Sequence, residues 1–190
     1  MFGPQGSGKG TQAKRISEEH EIPHISTGDM FRAAMRDDTH LGLQIKPIYD
    51  RGDLVPDELT VALIRERLAE PDAAGGFVLD GFPRNLMQAE ALDAMLAGIG
   101  RGLDAILFFD LDDETATERA LGRAHEESRA DDTPEAIARR LALYHEQTEP
   151  VVEHYRATGK LVPIHAERSI EAVWAEIEEA LRLLDVETPA

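Results

Sequence analysis

The sequence predicts an α/β fold built on a parallel sheet, and three observations carry that expectation. Short apolar runs of strand length stand at residues 23–26, 77–79, 105–111 and 161–164. Between them lie longer segments whose apolar residues recur three and four apart, the spacing of one helix face. A glycine-rich turn precedes the first of those segments. Strands that alternate with helices are joined most simply by parallel crossovers.

Each element has its own local reason. A helix is expected to start near Lys9, where the glycines end. Val55-Pro56-Asp57 reads as a helix start, followed by Val61, Ile64 and Leu68 on one face. Thr133-Pro134 offers an N-cap with proline in the first turn, ahead of Ile137, Leu141 and Tyr144. Pro150 should end or kink that helix. Ile170, Val173, Ile177, Leu181 and Leu184 define the face of a last helix, with a short disordered tail expected after Leu184.

Composition narrows the function. At 190 residues, with 42% hydrophobic and 30% charged residues, the chain suits one domain with a sizeable core. No run approaches the ~20 apolar residues of a membrane span, and no basic-then-apolar leader opens the chain. The absence of cysteine excludes disulfides, thiol catalysis and thiolate zinc sites. A net charge of −17 disfavours nucleic acid and anionic membranes as partners. Among the basic residues only Lys9, Lys14, Lys46 and Lys160 are lysine. Arginine suits bidentate capture of phosphate, although base composition or salt adaptation explains the skew equally well.

The strongest signal is Gly3-Pro4-Gln5-Gly6-Ser7-Gly8-Lys9-Gly10-Thr11. Glycines let successive N–H groups turn inward into a nest for phosphate oxygens, and a helix starting at Lys9 adds its positive end. Gly6, Ser7, Gly8, Lys9, Gly10 and Thr11 are therefore candidate ATP-binding residues. Lys9 would reach the β/γ-phosphates, and Thr11 would lie near a Mg²⁺ shell. The general pattern wants Ser or Thr directly after the lysine, and here Gly10 intervenes.

Together with five segments further along the chain, this turn resembles the adenylate kinase family of nucleoside monophosphate kinases. The Gly-Lys-Gly-Thr ending is the family's. Ile25-Ser26-Thr27-Gly28-Asp29-Met30-Phe31-Arg32 resembles its monophosphate-binding entry, and Gly52-Asp53-Leu54-Val55-Pro56-Asp57-Glu58-Leu59 the segment that closes it. Asp80-Gly81-Phe82-Pro83-Arg84, with Gln88 after it, resembles the family signature. Arg129-Ala130-Asp131-Asp132 and Arg139-Arg140-Leu141 resemble its two arginine stations after the lid.

The resemblance implies a P-loop kinase with a parallel sheet of order 2-3-1-4-5, helices on both faces, and a first strand largely missing from this chain. It implies a core at 1–26 carrying the P-loop, a monophosphate-binding subdomain at 27–56, core again at 57–122, a short lid loop at 123–133 and core at 134–190. It implies reversible phosphoryl transfer from MgATP to AMP, giving two ADP. Lys9, Arg84, Arg123, Arg129 and Arg140 would be catalytic, and Arg119 would stack on the donor base beside Arg123. The AMP site would draw on Thr27, Arg32, Val55, Gly81, Arg84, Gln88, Arg129 and Arg140. Asp80 would orient Mg²⁺ through water. Thr27 and Gln88 match the adenine-specific versions, where pyrimidine kinases typically carry Ala and Asn. The short lid and the histidine spacing imply no zinc.

Two alternatives stand beside this reading: a UMP/CMP-type kinase, and a non-catalytic nucleotide-binding regulator. The expected setting is a cytoplasmic monomer acting on ATP, AMP and ADP. Only Met1 and Phe2 precede the glycine turn, so about four apolar strand residues, worth roughly 8 kcal/mol of burial, are missing. A start upstream of Met1 is expected on that ground, with the alternative that Met1-Phe2 suffices. The chain as given is expected to melt below about 45 °C.

Overall fold

The computed structural model describes residues 1–126 and 132–187. Four parallel-paired strands form its centre: β1 (His24–Ser26), β2 (Val78–Asp80), β3 (Ile106–Asp110) and β4 (Leu161–His165). β1 pairs with β2, and β3 with β4. Met1 and Phe2 close the gap between the two pairs. The Phe2 N–H donates to the Leu107 carbonyl and the Phe2 carbonyl accepts from the Phe109 N–H, each at 2.8 Å. On the other side the Met1 ammonium donates to the Leu79 carbonyl at 2.9 Å. Counting these two residues as the first strand gives the order 2-3-1-4-5. The expected gap in the sheet is thus bridged by two residues, with Phe2 only 3% exposed and packed on Tyr155.

The helices are α1 (Lys9–His20), α2 (Thr27–Arg36), α3 (His40–Tyr49), α4 (Asp57–Leu68), α5 (Leu86–Gly98), α6 (Asp113–Glu126), α7 (Pro134–Leu143), α8 (Glu149–Arg156) and α9 (Ile170–Glu187). Their starts follow the sequence closely. The Ser26 hydroxyl caps α2, Asn85 caps α5 and Thr133 caps α7, each accepting a first-turn N–H.

Alternation along the strands sends neighbouring side chains to opposite faces. Val78, Leu107 and Phe109 join Ala13 and Ile16 of α1 and Val173 and Ile177 of α9 in one core. Leu79 packs with Ile64 of α4 and Leu92 and Leu96 of α5 on the other side. Phe2 and Ile106 pack there too, against Val151, Val152 and Tyr155 of α8. Helices therefore cover both faces. A smaller separate core of Phe31, Ile45 and Val55 holds α2 and α3 together.

Three expectations need correction. Ile170 is 56% exposed, because as the first residue of α9 it lies beyond the sheet that buries Val173 and Ile177. The tail expected after Leu184 is helical as far as Glu187, because no breaker stands before Pro189, and residues 188–190 lie outside the described residues. The long helix from Pro134 is interrupted before Pro150, by a π-helical turn at Tyr144–Thr148. Pro150 then sits in the first turn of α8, where its missing N–H costs no hydrogen bond. Among the described residues no helix is long and apolar enough to cross a membrane.

Candidate active site

The carboxyl ends of β1, β2 and residues 1–2 open onto one cavity of about 620 Å³. Crevices at this edge of a parallel sheet are where α/β proteins place ligands. Lys9, Lys14, Arg32, Arg84, Arg119, Arg123 and Arg140 line it, against Asp29, Asp53 and Asp80. The chain is acidic as a whole, yet this hollow is locally basic and suited to small anions.

The glycine turn makes one wall. Gly6 has φ 80°, and a Cβ there would collide with the Ala116 carbonyl oxygen, so the turn needs glycine on both counts. The Lys9 ammonium folds back onto its own loop, donating to the carbonyls of Gly3 and Pro4 at 2.7 Å and to the Ser7 hydroxyl at 3.1 Å. Burial pushes Lys9 down to about 8; Asp80 opposes that shift, while Arg84 and Arg123 add to it. Gly8, Gly10 and Thr11 border the cavity with it.

Asp80 ends β2 at the cavity floor. Burial alone would raise its pKa, but His24, Lys9 and the N-terminal ammonium outweigh that and bring it to about 2. His24 Nε2 stands 3.5 Å from Asp80 Oδ2, at the outer limit of a hydrogen bond. Asp80 is therefore an anion, and Lys9 is a cation that opposes it across the cavity floor.

The arginines form the opposite wall, and each is held. Arg84 donates through Nε to the Gly81 carbonyl at 2.8 Å, and burial holds its guanidinium below the usual range. Gly81 has φ 77°, and a Cβ there would stand 2.8 Å from the Thr27 hydroxyl oxygen. That hydroxyl donates to the Gly81 carbonyl at 2.8 Å. Arg32 donates to the Tyr49 hydroxyl at 2.7 Å and pairs with Asp29. Arg123 and Arg140 share one carboxylate: Asp132 Oδ2 takes Arg123 at 2.7 Å, and Oδ1 takes Arg140 at 2.7 Å. Arg140 also lies over the Tyr49 ring, 5.2 Å from its centroid. Val55 and Gln88 complete the lining.

Arg119 donates to the carbonyls of Ala166 and Glu167, at 2.7 and 3.1 Å. It divides the main cavity from a second hollow of about 370 Å³, lined by Gly6, Gly8, Gln12, Ser169 and Ile170 among others. Arg129, with the rest of residues 127–131 of the expected lid loop, lies outside the described residues. Among the described residues no cluster of His, Asp and Glu has an arrangement that could hold a metal ion by itself.

Sequence reasoning missed Tyr49, Asp132 as the arginine counter-ion, and the turn at 166–170. Asp132 belongs to a recognised arginine station, so a clamp role was available to be read from it. The 166–170 turn follows the carboxyl end of β4, an edge where ligands are expected. Tyr49 carried no such signal.

Comparison with known proteins decides the family. The adenylate kinase family model matches residues 1–160. The chain belongs to the adenylate kinase family. An adenylate kinase of Stenotrophomonas maltophilia (strain K279a) is 48% identical over 182 residues, spanning 96% of this chain and 97% of the relative. One from Parvibaculum lavamentivorans is 48% identical over 184 residues, with 95% and 90% covered. One from Caulobacter sp. (strain K31) is 46% identical over 184 residues, with 97% of each covered. In adenylate kinase terms, the glycine turn, Asp80-Gly81 and the arginine stations are the segments that carry the resemblance, and all but Arg129-Ala130-Asp131 lie within the described residues.

Proposed function

We propose that this cavity is where the chain, as a member of the adenylate kinase family, carries out reversible phosphoryl transfer from ATP to AMP to give two ADP. The observation that carries the assignment is the convergence of Lys9, Arg84, Arg123 and Arg140 on one hollow bordered by the glycine turn. Phosphoryl transfer asks the protein mainly for positioning and charge neutralisation, and these groups supply both.

The turn's N–H groups and Lys9 take the donor phosphates, with Lys9 exchanging neutral carbonyls for anionic oxygens. The donor base lies against Arg119, towards the hollow at 166–170. Arg32 and Arg84 grip the acceptor phosphate, and Thr27, Val55, Gly81 and Gln88 line its nucleoside side. Arg123 and Arg140, fixed by Asp132, lie beside the transferred group, where charge-assisted bonds strengthen as charge spreads.

The residues fit a magnesium ion that arrives with ATP. Asp80 is ionised, borders the cavity and lies beside the first turn of α1, as a carboxylate acting through water should. Bound there with Thr11 nearby, the ion would neutralise phosphate charge and orient the phosphates. A cytoplasmic setting, with its supply of ATP, fits this reading.

The test is ADP formation from MgATP with AMP, CMP, UMP or GMP. The expected kcat/KM for AMP exceeds the others by about 100-fold or more. Comparable turnover of CMP or UMP overturns the acceptor assignment. Unchanged turnover after Lys9→Ala overturns the donor assignment.

A further inference from the structure

The Gln88 amide is held at both polar atoms. Its Oε1 accepts from the Arg84 peptide N–H at 2.8 Å, and its Nε2 donates to Asp57 Oδ1 at 2.6 Å. The same Asp57 oxygen accepts from Asn85 Nδ2 at 2.8 Å. Asn85 Oδ1 in turn accepts the Gln88 peptide N–H at 2.9 Å, as the cap of α5.

This chain of bonds begins and ends on peptide N–H groups, which donate only and cannot turn over. The Gln88 N–H requires the oxygen of Asn85 and so directs its amino group to Asp57. The Arg84 N–H requires the oxygen of Gln88 and so directs that amino group to Asp57 as well. An ionised carboxylate only accepts, so Asp57 satisfies both amino groups in one arrangement.

We propose that Asp57 is a specificity-determining positioning residue, which together with the Arg84 peptide N–H fixes the facing of the Gln88 amide so that the cavity accepts a 6-aminopurine monophosphate and refuses a 6-oxopurine. The proposal rests on the acceptor-site assignment made under Proposed function. Gln88 is buried, at 2% exposure, and lines the cavity. After its two bonds the amide keeps one N–H and one lone pair. A 6-aminopurine offers a donor beside a ring acceptor, whereas a 6-oxopurine offers the reverse pair. One facing of a glutamine matches the first, and the amide turned over matches the second. Asp57 makes the turned amide costly, because it would bring Oε1 against a carboxylate oxygen.

The experiment compares kcat/KM for AMP and for inosine monophosphate, with MgATP, in the wild type, Asp57→Ala, Asp57→Asn and Gln88→Ala. Asp57→Ala is expected to lower the AMP-to-IMP preference about 10-fold through KM for the monophosphate, with KM for ATP unchanged. Asp57→Asn restores the preference to within about 2-fold, because its oxygen still accepts from both amino groups. A merely structural role would shift both substrates together and leave the ratio fixed. A folded Asp57→Ala with the wild-type ratio, beside a Gln88→Ala whose ratio collapses, overturns the proposal and spares the acceptor-site assignment. An unchanged ratio in Gln88→Ala overturns that assignment and the proposal with it. If Asp57→Ala does not fold, Asp57→Ser is read by the same criteria, since its hydroxyl donates as readily as it accepts.

Discussion

The two walls of the cavity hold their cations differently. At the glycine turn, Lys9 rests on the neutral carbonyls of Gly3 and Pro4, within six residues of itself. At the arginine wall, Arg123 and Arg140 rest on a buried carboxylate, Asp132, at 4% exposure. A phosphate arriving at Lys9 replaces neutral acceptors with an anion and gains the full charge–charge interaction. One arriving at Arg123 and Arg140 meets a pair already bonded to a carboxylate and fixed in place. The first wall therefore governs binding of the donor, and the second governs the geometry around the transferred group.

Removing Lys9 gives the widest expected separation of the walls. Lys9→Ala should lower kcat/KM by about 10³-fold or more, with little loss of thermal stability, as steady-state kinetics and a melt would show. A loss below tenfold would mean that the loop's N–H groups carry the donor phosphates without it.

Asp132→Ala tests the other wall and should damage both stability and rate. Removing one partner of a buried ion cluster costs about 3–5 kcal/mol, and Asp132 is bonded to both Arg123 and Arg140. The melting temperature should fall by ~10 °C. A stable Asp132→Ala variant with normal kcat would show that the arginines hold position unaided.

Titration separates the walls by pH. With its pKa at about 8, free Lys9 loses its charge as pH rises through that value. ATP affinity should therefore fall about tenfold between pH 7 and pH 9, and Lys9→Ala should flatten the profile. The sign for stability is opposite. The unfolded chain keeps this proton up to its ordinary value of 10.5, so this group's contribution to stability rises between about 8 and 10.5.

The smallest effect concerns the scaffold of the second wall. Thr133 caps the helix that carries Arg140, accepting the Ala136 N–H at 3.2 Å. Thr133→Ala should cost about 1 kcal/mol, a shift of ~3 °C, with kcat changed less than about 2-fold. A large loss of kcat would place more of the arginine geometry in that single cap than the Asp132 clamp allows.

The same contrast explains what was legible in the sequence. The glycine turn, the strand–helix alternation and the Thr133 cap act through neighbouring residues, so their spacing exposes them. Phe2 was harder, because its value depends on bonds to Leu107 and Phe109 that local pattern cannot show. The arginine positions could be read through family motifs, and Asp132 lay within one of them, but partners distant in sequence could not be read that way. Tyr49 meets Arg140 across 91 residues, and Asp57 meets Gln88 across 31. Ile170 fitted the helical period and still faced solvent, because periodicity does not say where the sheet ends.

The most direct measurement of the central claim is calorimetric binding of a diadenosine oligophosphate, a single ligand long enough to join the two nucleotide positions. The account predicts one molecule per chain, exclusion of both ATP and AMP, and losses of about 100-fold or more in affinity from Lys9→Ala and from Arg84→Ala separately. Two independent molecules per chain, or affinity indifferent to either substitution, would contradict a shared cavity with its cations on two facing walls.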